Sequence, residues 1–497
     1  MKKLRITSLI MALCLLFFAA APSAYALDEP DVVASSVCIV DADTGRILYS
    51  KNLNGKVYPA SLTKIMTVLL AVMEIENGNH TLDEEITAQD DCRIFMEDDS
   101  STADIYPGEI MTYEDLLYCC MLASANEACN ILATYISGSR DAFVQEMNAF
   151  ANKLGCTGTC FNNTNGLNDT EHYTTAYDLY LITKEAVQHP LFMTLCNAIS
   201  HTIPATNTHG ERTYYNSNAL ISADSIYGSS YLYNGAAGVK TGYTRDAGYC
   251  LISTCSRNDI NLICVVLGST GVLNSQRADY GNFVDSIALY DWAYENFVHD
   301  TVLTTADPIE RVPVALAAGD GNAILRPQND VTLLISRDFL ESDMVIDTEI
   351  YSDLLTAPIE AGTVLGSATI TVKGEYYASV NLVTNIDIEM SKSEYLKLQI
   401  SNIVSSTWFK VGVSAVIIIF ILYLLLVVRY RKLRQKHLRE KKLAEIRRRK
   451  AWEQQYAGEQ PGLSAGKQQS FSSGSASGAE KNPEPEEDPD DFWAKYR

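Results

Sequence analysis

Tyr58-Pro-Ala-Ser-Leu-Thr-Lys-Ile-Met-Thr67 decides how the rest of the chain is read. A proline ahead of a Leu-, Ile- and Met-rich run that stops at Asn77-Gly78 predicts a helix start and a helix end. Ser61 then lies in the first turn, and Lys64, three residues on, shares its face. A serine hydroxyl is a weak nucleophile until a base removes its proton, and a desolvated lysine can be that base. Amides at the helix N-terminus would stabilise the oxyanion formed as Ser61 attacks a carbonyl. The segment is therefore expected to hold an acyl-transfer nucleophile and its base. Spacing alone is a weak warrant. Ser464-Ala-Gly-Lys467 repeats it in a Gly/Ser/Gln-rich stretch with too few apolar residues to build a core.

Two further elements lie downstream. Ser124-Ala-Asn126 sits in an apolar, helical neighbourhood, where a hydroxyl and an amide suit the relay of a proton and the holding of a carbonyl. The same spacing in Ser256-Arg-Asn258 reads as an ordinary turn. Lys240-Thr-Gly242 occurs once, just before an apolar hairpin. A lysine and a threonine on an edge strand suit a carboxylate, and a glycine after them lets the backbone approach closely.

Around these elements the pattern predicts an α+β domain. Val33 to Val40 and Ile47 to Tyr49 read as strands joined by the turn Asp41-Ala-Asp-Thr-Gly45. Met111 to Ile136 reads as a helical region and Arg140 to Leu154 as another helix. Asn162 to Asp169 is a turn-rich loop, and Thr175-Ala-Tyr-Asp178 starts a helix that runs to Ala186. Gly248 to Cys255 and Ile260 to Leu267 are apolar and β-branched, so they read as an antiparallel hairpin. Tyr280, Phe283, Ile287, Tyr290 and Tyr294 recur at helical spacing, which predicts a long helix against that sheet. Strands at both ends with helices between them require a sheet that unites distant segments. From 304 to 390 short alternating runs broken by Gly and Pro, such as Val331 to Ile335 and Ala368 to Val372, predict a small all-β module. It has no cluster of titratable groups and reads as a spacer or docking unit.

Both ends of the chain carry membrane-related patterns. Lys2, Lys3 and Arg5 precede an apolar run from Leu9 to Ala21, and Ala24-Tyr-Ala26 fits a small-residue cleavage site, so residues 1–26 read as a secretory signal. The catalytic part is expected over 27–300, the β module over 304–390 and a linker over 391–407. Trp408 to Val428 is nearly all apolar and, at about 1.5 Å per residue, long enough to cross the hydrocarbon core. Twelve of the residues from Arg429 to Lys450 are Lys or Arg, which places that flank on the cytoplasmic side. Residues 429–497 then form a cytosolic basic helix beside anionic lipid heads and a disordered Gly/Ser-rich, acidic tail. The expected location is the cell membrane, single-pass, with the catalytic domain outside.

Charge and cysteine usage narrow the chemistry. Between Leu27 and Trp408 there are 19 Lys and Arg against 50 Asp and Glu, a balance of −31 that repels phosphate backbones and excludes a nucleic-acid partner. The chain has 12 cysteines, one of them Cys14 in the signal, and no C-x-x-C pair. Most read as small buried hydrophobes, while Cys156 and Cys160 flank a turn and are a possible bridge. The seven histidines have no metal-ligand spacing, so neither a metal nor a cofactor is expected.

S-x-x-K, then S-x-N, then K-T-G is the order of the penicillin-recognising serine enzymes. Tyr58 to Thr67, Met121-Leu-Ala-Ser-Ala-Asn-Glu-Ala, Phe161-Asn-Asn-Thr-Asn-Gly-Leu and Gly238-Val-Lys-Thr-Gly-Tyr-Thr-Arg-Asp-Ala-Gly-Tyr closely resemble the serine-type D-alanyl-D-alanine carboxypeptidases, the low-molecular-mass penicillin-binding proteins. The resemblance covers Val33 to Val298, and Ala357-Pro-Ile-Glu-Ala-Gly-Thr-Val-Leu-Gly extends it into the β module. It implies that Ser61 attacks the bond between the terminal D-alanines of a peptidoglycan stem pentapeptide, and that β-lactams acylate the same serine. Lys64 would be the base, kept neutral by burial and by the charge of Lys240. Ser124 would pass the proton to the leaving D-alanine, and Asn126 would hold the peptide. Lys240, Thr241 and, in Ser275-Gln-Arg277, Arg277 would bind the terminal carboxylate. Gly242 would bring the strand close, and the amides of Ser61 and Tyr243 would form the oxyanion hole. Many relatives have histidine where Tyr243 stands, so the backbone role alone carries over there. The family's membrane attachment is often an amphipathic helix, unlike Trp408 to Val428. A class A β-lactamase shares the three motifs but needs an acidic residue that Asn162 to Asn168 lacks. The β module and the membrane span also argue against it, and rapid turnover of a β-lactam in place of a long-lived acyl-enzyme would favour it. A non-catalytic wall-binding receptor signalling through the tail is the third reading.

Overall fold

The structure, a computed structural model, describes residues 27–96, 100–274 and 277–455. The signal segment and the tail beyond 455 lie outside the described residues. Five antiparallel strands form the central sheet: β1 (Ser36–Asp41), β2 (Ile47–Lys51), β3 (Ala236–Thr244), β4 (Gly248–Arg257) and β5 (Ile260–Ser269), in the order β2-β1-β5-β4-β3. The first and last parts of the domain thus share one sheet, and β3, which carries Lys240-Thr-Gly242, is an edge strand as expected. Asn258 and Asp259 join β4 to β5 with φ of 53° and 62°. Positive φ at both central residues matches the twist of a tight hairpin.

Both faces of the sheet are covered, which is why β1 and β5 are apolar at successive positions. Cys38 and Val40 face the helical core with Ile263 and Val265, while Val37 and Ile39 face the other way with Leu262 and Cys264. On the second side packs the predicted long helix, α7 (Gly281–Asn296), through Phe283, Leu289 and Tyr290. On the first side lies α1 (Lys64–Glu76), buried continuously from Lys64 to Leu69. Around it are α2 (Tyr113–Met121), α3 (Asn126–Ser137), α4 (Arg140–Lys153), α5 (Ala176–Ala186) and α6 (Pro190–Asn197). Thr175 caps α5 by accepting from the Asp178 amide at 3.0 Å.

Two local readings are corrected. Pro59 precedes a 3-10 turn, Ala60–Thr63, so Ser61 lies in that turn and Lys64 opens the α-helix. The predicted helical region 111–136 is not continuous. Met111 belongs to the strand Ile110–Thr112, paired to Glu85–Thr87, and the helices break between Met121 and Asn126. Ser124, in that break, has φ of 55°, which no helix accommodates.

After α7 the chain enters the β module through β6 (Phe297–Leu303), which pairs with β9 (Val331–Ser336). The expected boundary near 300 therefore falls within a strand. The remaining strands are β7 (Glu310–Ala315), β8 (Asn322–Pro327), β10 (Met344–Ile350), β11 (Leu355–Thr356), β12 (Val364–Val372) and β13 (Glu375–Thr384), in the order β10-β12-β13-β8-β7-β11. Arg46, in the β1–β2 hairpin, donates to the Leu334 carbonyl and the Tyr377 hydroxyl and so ties the module to the first domain. Cys156 and Cys160 do not bridge: all eleven cysteines among the described residues are free, and the Cys156 thiol faces the Asp178 carbonyl at 3.6 Å.

Ser393 to Gln455 form a separate unit, helical throughout apart from a break near Ser406. The segment expected as a linker is helix α8 (Lys392–Ser405), and α9 (Thr407–Gln455) carries the apolar run straight on into the basic flank.

Candidate active site

The 3-10 turn at Ala60–Thr63 matters because side chains three apart eclipse one another in that geometry. Lys64 Nζ lies 2.9 Å from Ser61 Oγ, and also donates to Asn126 Oδ1 and to the Asn165 carbonyl, each at 2.7 Å. Lys64 is fully buried, and this desolvation pulls its ammonium below the ordinary lysine range, against the opposing pull of Cys129, Cys120 and Glu127.

The turn is clamped from the far side. Gly166 has φ of 90°, and a Cβ there would lie 1.8 Å from the Ala60 carbonyl oxygen, so only glycine fits. Thr63 Oγ1 donates to that same oxygen at 2.9 Å and meets His172 Nε2 at 2.8 Å. Burial holds His172 down to about 4, and it stays neutral.

From the sheet side, the backbone of β3 runs against Ser61. A Cβ at Gly242 would stand 3.2 Å from the Ser61 amide nitrogen, so this glycine sets the closeness of approach. Lys240 and Thr241 are buried, and Lys240 Nζ donates to the Thr241 carbonyl at 3.3 Å. Burial first, and the Lys64 charge second, bring Lys240 down to about 7. Burial is the main cause at both amines, and repulsion between them adds to it at Lys240 but not at Lys64, where the sequence reading expected it. Ser217 Oγ lies 2.6 Å from Thr241 Oγ1.

The α2–α3 break supplies the third wall. Asn126 is the first residue of α3, and its amide donates to the Ser101 carbonyl at 3.0 Å. Ser124 Oγ is buried without a hydrogen-bond partner among the described residues. Ser61, Lys64 and Asn126 therefore meet directly and β3 closes on them, while Ser124 makes no hydrogen bond to Lys64 among the described residues. Tyr243 is 52% exposed and its ring rests on that of Tyr249 at 4.5 Å between centroids. Arg277 opens the strand Arg277–Tyr280, and its side chain lies outside the described part.

Three participants were missed by the sequence reading. Asn165 acts through a backbone carbonyl, which no side-chain pattern reveals. His172 and Ser217 act through residues on other elements. Glu127, beside Asn126, is a fourth buried group: its Oε1 accepts from Thr102 Oγ1 at 2.6 Å and the Ala103 amide at 2.7 Å, which pins the 101–105 segment over the turn. An acid in the first turn of α3 was the available signal.

Known proteins resemble the chain over both of its folded parts. The family model described as D-alanyl-D-alanine carboxypeptidase matches residues 23–271, and that for the C-terminal domain of penicillin-binding protein 5 matches 302–390. D-alanyl-D-alanine carboxypeptidase DacF of Bacillus subtilis is 28% identical over 402 residues, 78% of this chain and 95% of the relative. DacC of Escherichia coli is 27% identical over 389 residues, 75% of this chain and 89% of the relative. The crystal structure of penicillin-binding protein 5 from Haemophilus influenzae superposes with a TM-score of 0.55 at 25% identity, covering 73% of this chain and 100% of that one. PBP3 from Streptococcus pneumoniae shares the fold with a TM-score of 0.56 at 24% identity, covering 72% of this chain and 100% of that one.

Proposed function

Because the chain belongs to the D-alanyl-D-alanine carboxypeptidase family, we propose that its Ser61, Lys64 and β3 edge are the centre at which the terminal D-alanine leaves a peptidoglycan stem pentapeptide. The protein is a serine-type D-Ala-D-Ala carboxypeptidase and a penicillin-binding protein. The observation that carries the site assignment is the 2.9 Å contact between Ser61 Oγ and a lysine amine whose charge burial disfavours.

The partners of Lys64 support one direction of proton transfer. A neutral amine has two N–H groups and one lone pair, and the carbonyl oxygens of Asn126 and Asn165 accept those two N–H groups. The lone pair is left facing Ser61, which then donates its proton to Lys64 as it attacks the D-alanyl carbonyl. The Ser61 and Tyr243 amides receive the oxyanion; losing one such donor costs about 2.7–4 kcal/mol. Ser124, whose hydroxyl is uncommitted, carries the proton on to the departing amine. Lys240 and Thr241, with Arg277, hold the terminal carboxylate, and Asn126 orients the penultimate peptide bond. Water then hydrolyses the acyl-enzyme, and a β-lactam traps it at the same step.

The finer topology belongs to the same reading. A helix with mean hydropathy 3.1 in its most apolar 18-residue window crosses the membrane once over residues 408–428. Residues 27–300 and the 304–390 module then lie outside the cell after a cleaved signal, and residues 429–497 inside. The test of the assignment is Ser61→Ala, read as D-alanine release from a synthetic pentapeptide. Release should fall by about 10⁴-fold or more. Unchanged release rejects Ser61 as the nucleophile.

A further inference from the structure

Cys120 on α2 and Cys129 on α3 are fully buried, and their sulfurs stand 3.3 Å apart across the helix break. Cys129 Sγ also donates to the Ala125 carbonyl at 3.4 Å, the residue between Ser124 and Asn126. The Ala125 amide in turn bonds the Cys119 carbonyl at 3.0 Å. The two thiols thus form the floor of the turn that presents Ser124 and Asn126 to Lys64. Burial pushes both thiols up. At Cys129 contact with Cys120 opposes that and the net direction is down, whereas Cys120 stays raised. At 3.3 Å either sulfur can attack the other once one of them is oxidised.

We propose that this pair is an oxidative modification site, at which hydrogen peroxide joins Cys120 to Cys129 and so arrests acylation of Ser61. The second half rests on the catalytic reading of Ser124 and Asn126 given above. Burial selects the oxidant, since a small peroxide reaches sulfurs that a protein or peptide disulfide does not. Cys129 sulfur attacks one peroxide oxygen, the O–O bond breaks, water leaves and a sulfenic acid remains. Cys120 sulfur attacks that sulfur, the S–O bond breaks, the disulfide forms and a second water leaves. The two electrons given up by the sulfurs reduce the peroxide, and the two thiol protons end in the two waters. A disulfide is about 2.05 Å long, so the sulfurs must close most of the remaining gap by drawing α2 and α3 together under the turn. Displacing a catalytic group by about 1 Å costs on the order of 10²-fold in rate.

Full-length protein in detergent is exposed to hydrogen peroxide and its free thiols are blocked under denaturing conditions. One portion is mapped by mass spectrometry, and a parallel unblocked portion is assayed for labelling by a fluorescent penicillin. The expected result is a Cys120–Cys129 cross-linked peptide lighter by two hydrogens, with a fall in labelling rate of about 10²-fold that dithiothreitol reverses. Cys120→Ala and Cys120→Ser should form no cross-link and keep their labelling rate through the same exposure. Absence of the cross-link in folded wild-type protein overturns the proposal, as does a cross-link that leaves labelling unchanged. Equal inactivation of both Cys120 variants overturns it too. The cross-link is read by mass and the catalytic reading by labelling of reduced protein, so the two fail separately.

Discussion

The first domain and the β module both pack apolar cores, but they differ in what else they bury. Lys64, Lys240, Glu109, Glu127 and His172 are buried between Ser36 and Asn296, whereas Thr384 is the buried polar side chain among the described residues of the module. Burying an ionisable group is costly unless it is paired or neutral. In the first domain the acids are compensated: Arg212 and His209 meet Glu109, and three hydrogen-bond donors and Arg93 meet Glu127. Among the described residues the two lysines have no carboxylate partner within ion-pair distance, and burial instead weakens the hold of each on its proton. The module buries no ionisable side chain among its described residues. The first domain gives up some stability to hold two amines dry beside a serine.

The largest effect should come from removing the amine at the centre of that exchange. Lys64→Met keeps the length and apolar stem of the side chain but cannot take a proton. Penicillin acylation and D-alanine release should each fall by about 10²–10⁴-fold, with no loss of thermal stability. Near-normal acylation would show that the buried lysine is structural.

Leu382, fully buried in β13, makes the opposite case. Leu382→Ala should destabilise the module by about 2–5 kcal/mol, measured by denaturant unfolding, while the acylation rate stays at its wild-type value. A parallel fall in acylation would make the module part of the site.

The smallest effect is in pH. Lys240 falls from the ordinary lysine value to about 7 on folding, so between these values the unfolded chain binds a proton that the folded one does not. Stability should therefore rise with pH across that window, and the cost of burial is present in full below about 7. Lys240→Met should be more stable than wild type by about 1 kcal/mol at neutral pH, and its advantage should shrink toward pH 10. An advantage independent of pH would mean that packing, not charge, separates the two proteins.

The same contrast explains what the sequence disclosed. The sheet and its hairpins were legible because β1, β4 and β5 are buried on one or both faces, so their apolar runs leave a direct trace. Ser61, Lys64 and Asn126 were legible because side-chain chemistry carries their roles. The helix break at Ser124 was hidden, since Met121 to Leu132 keeps a helical apolar pattern through it, and a positive φ at serine has no compositional mark. The Asn165 carbonyl is separated from Lys64 by 101 residues and acts through atoms that every residue has. Tertiary packing placed it, not local preference.

The central claim is that three distant segments converge to make one serine reactive. It is tested most directly by incubating the full-length protein with a β-lactam, digesting it and locating the adduct by mass spectrometry. The account predicts a stable acyl group on Ser61, in the peptide spanning Val57 to Lys64, which is lost in Lys64→Met. An adduct on another residue, or none on Ser61 of folded wild-type protein, would contradict it.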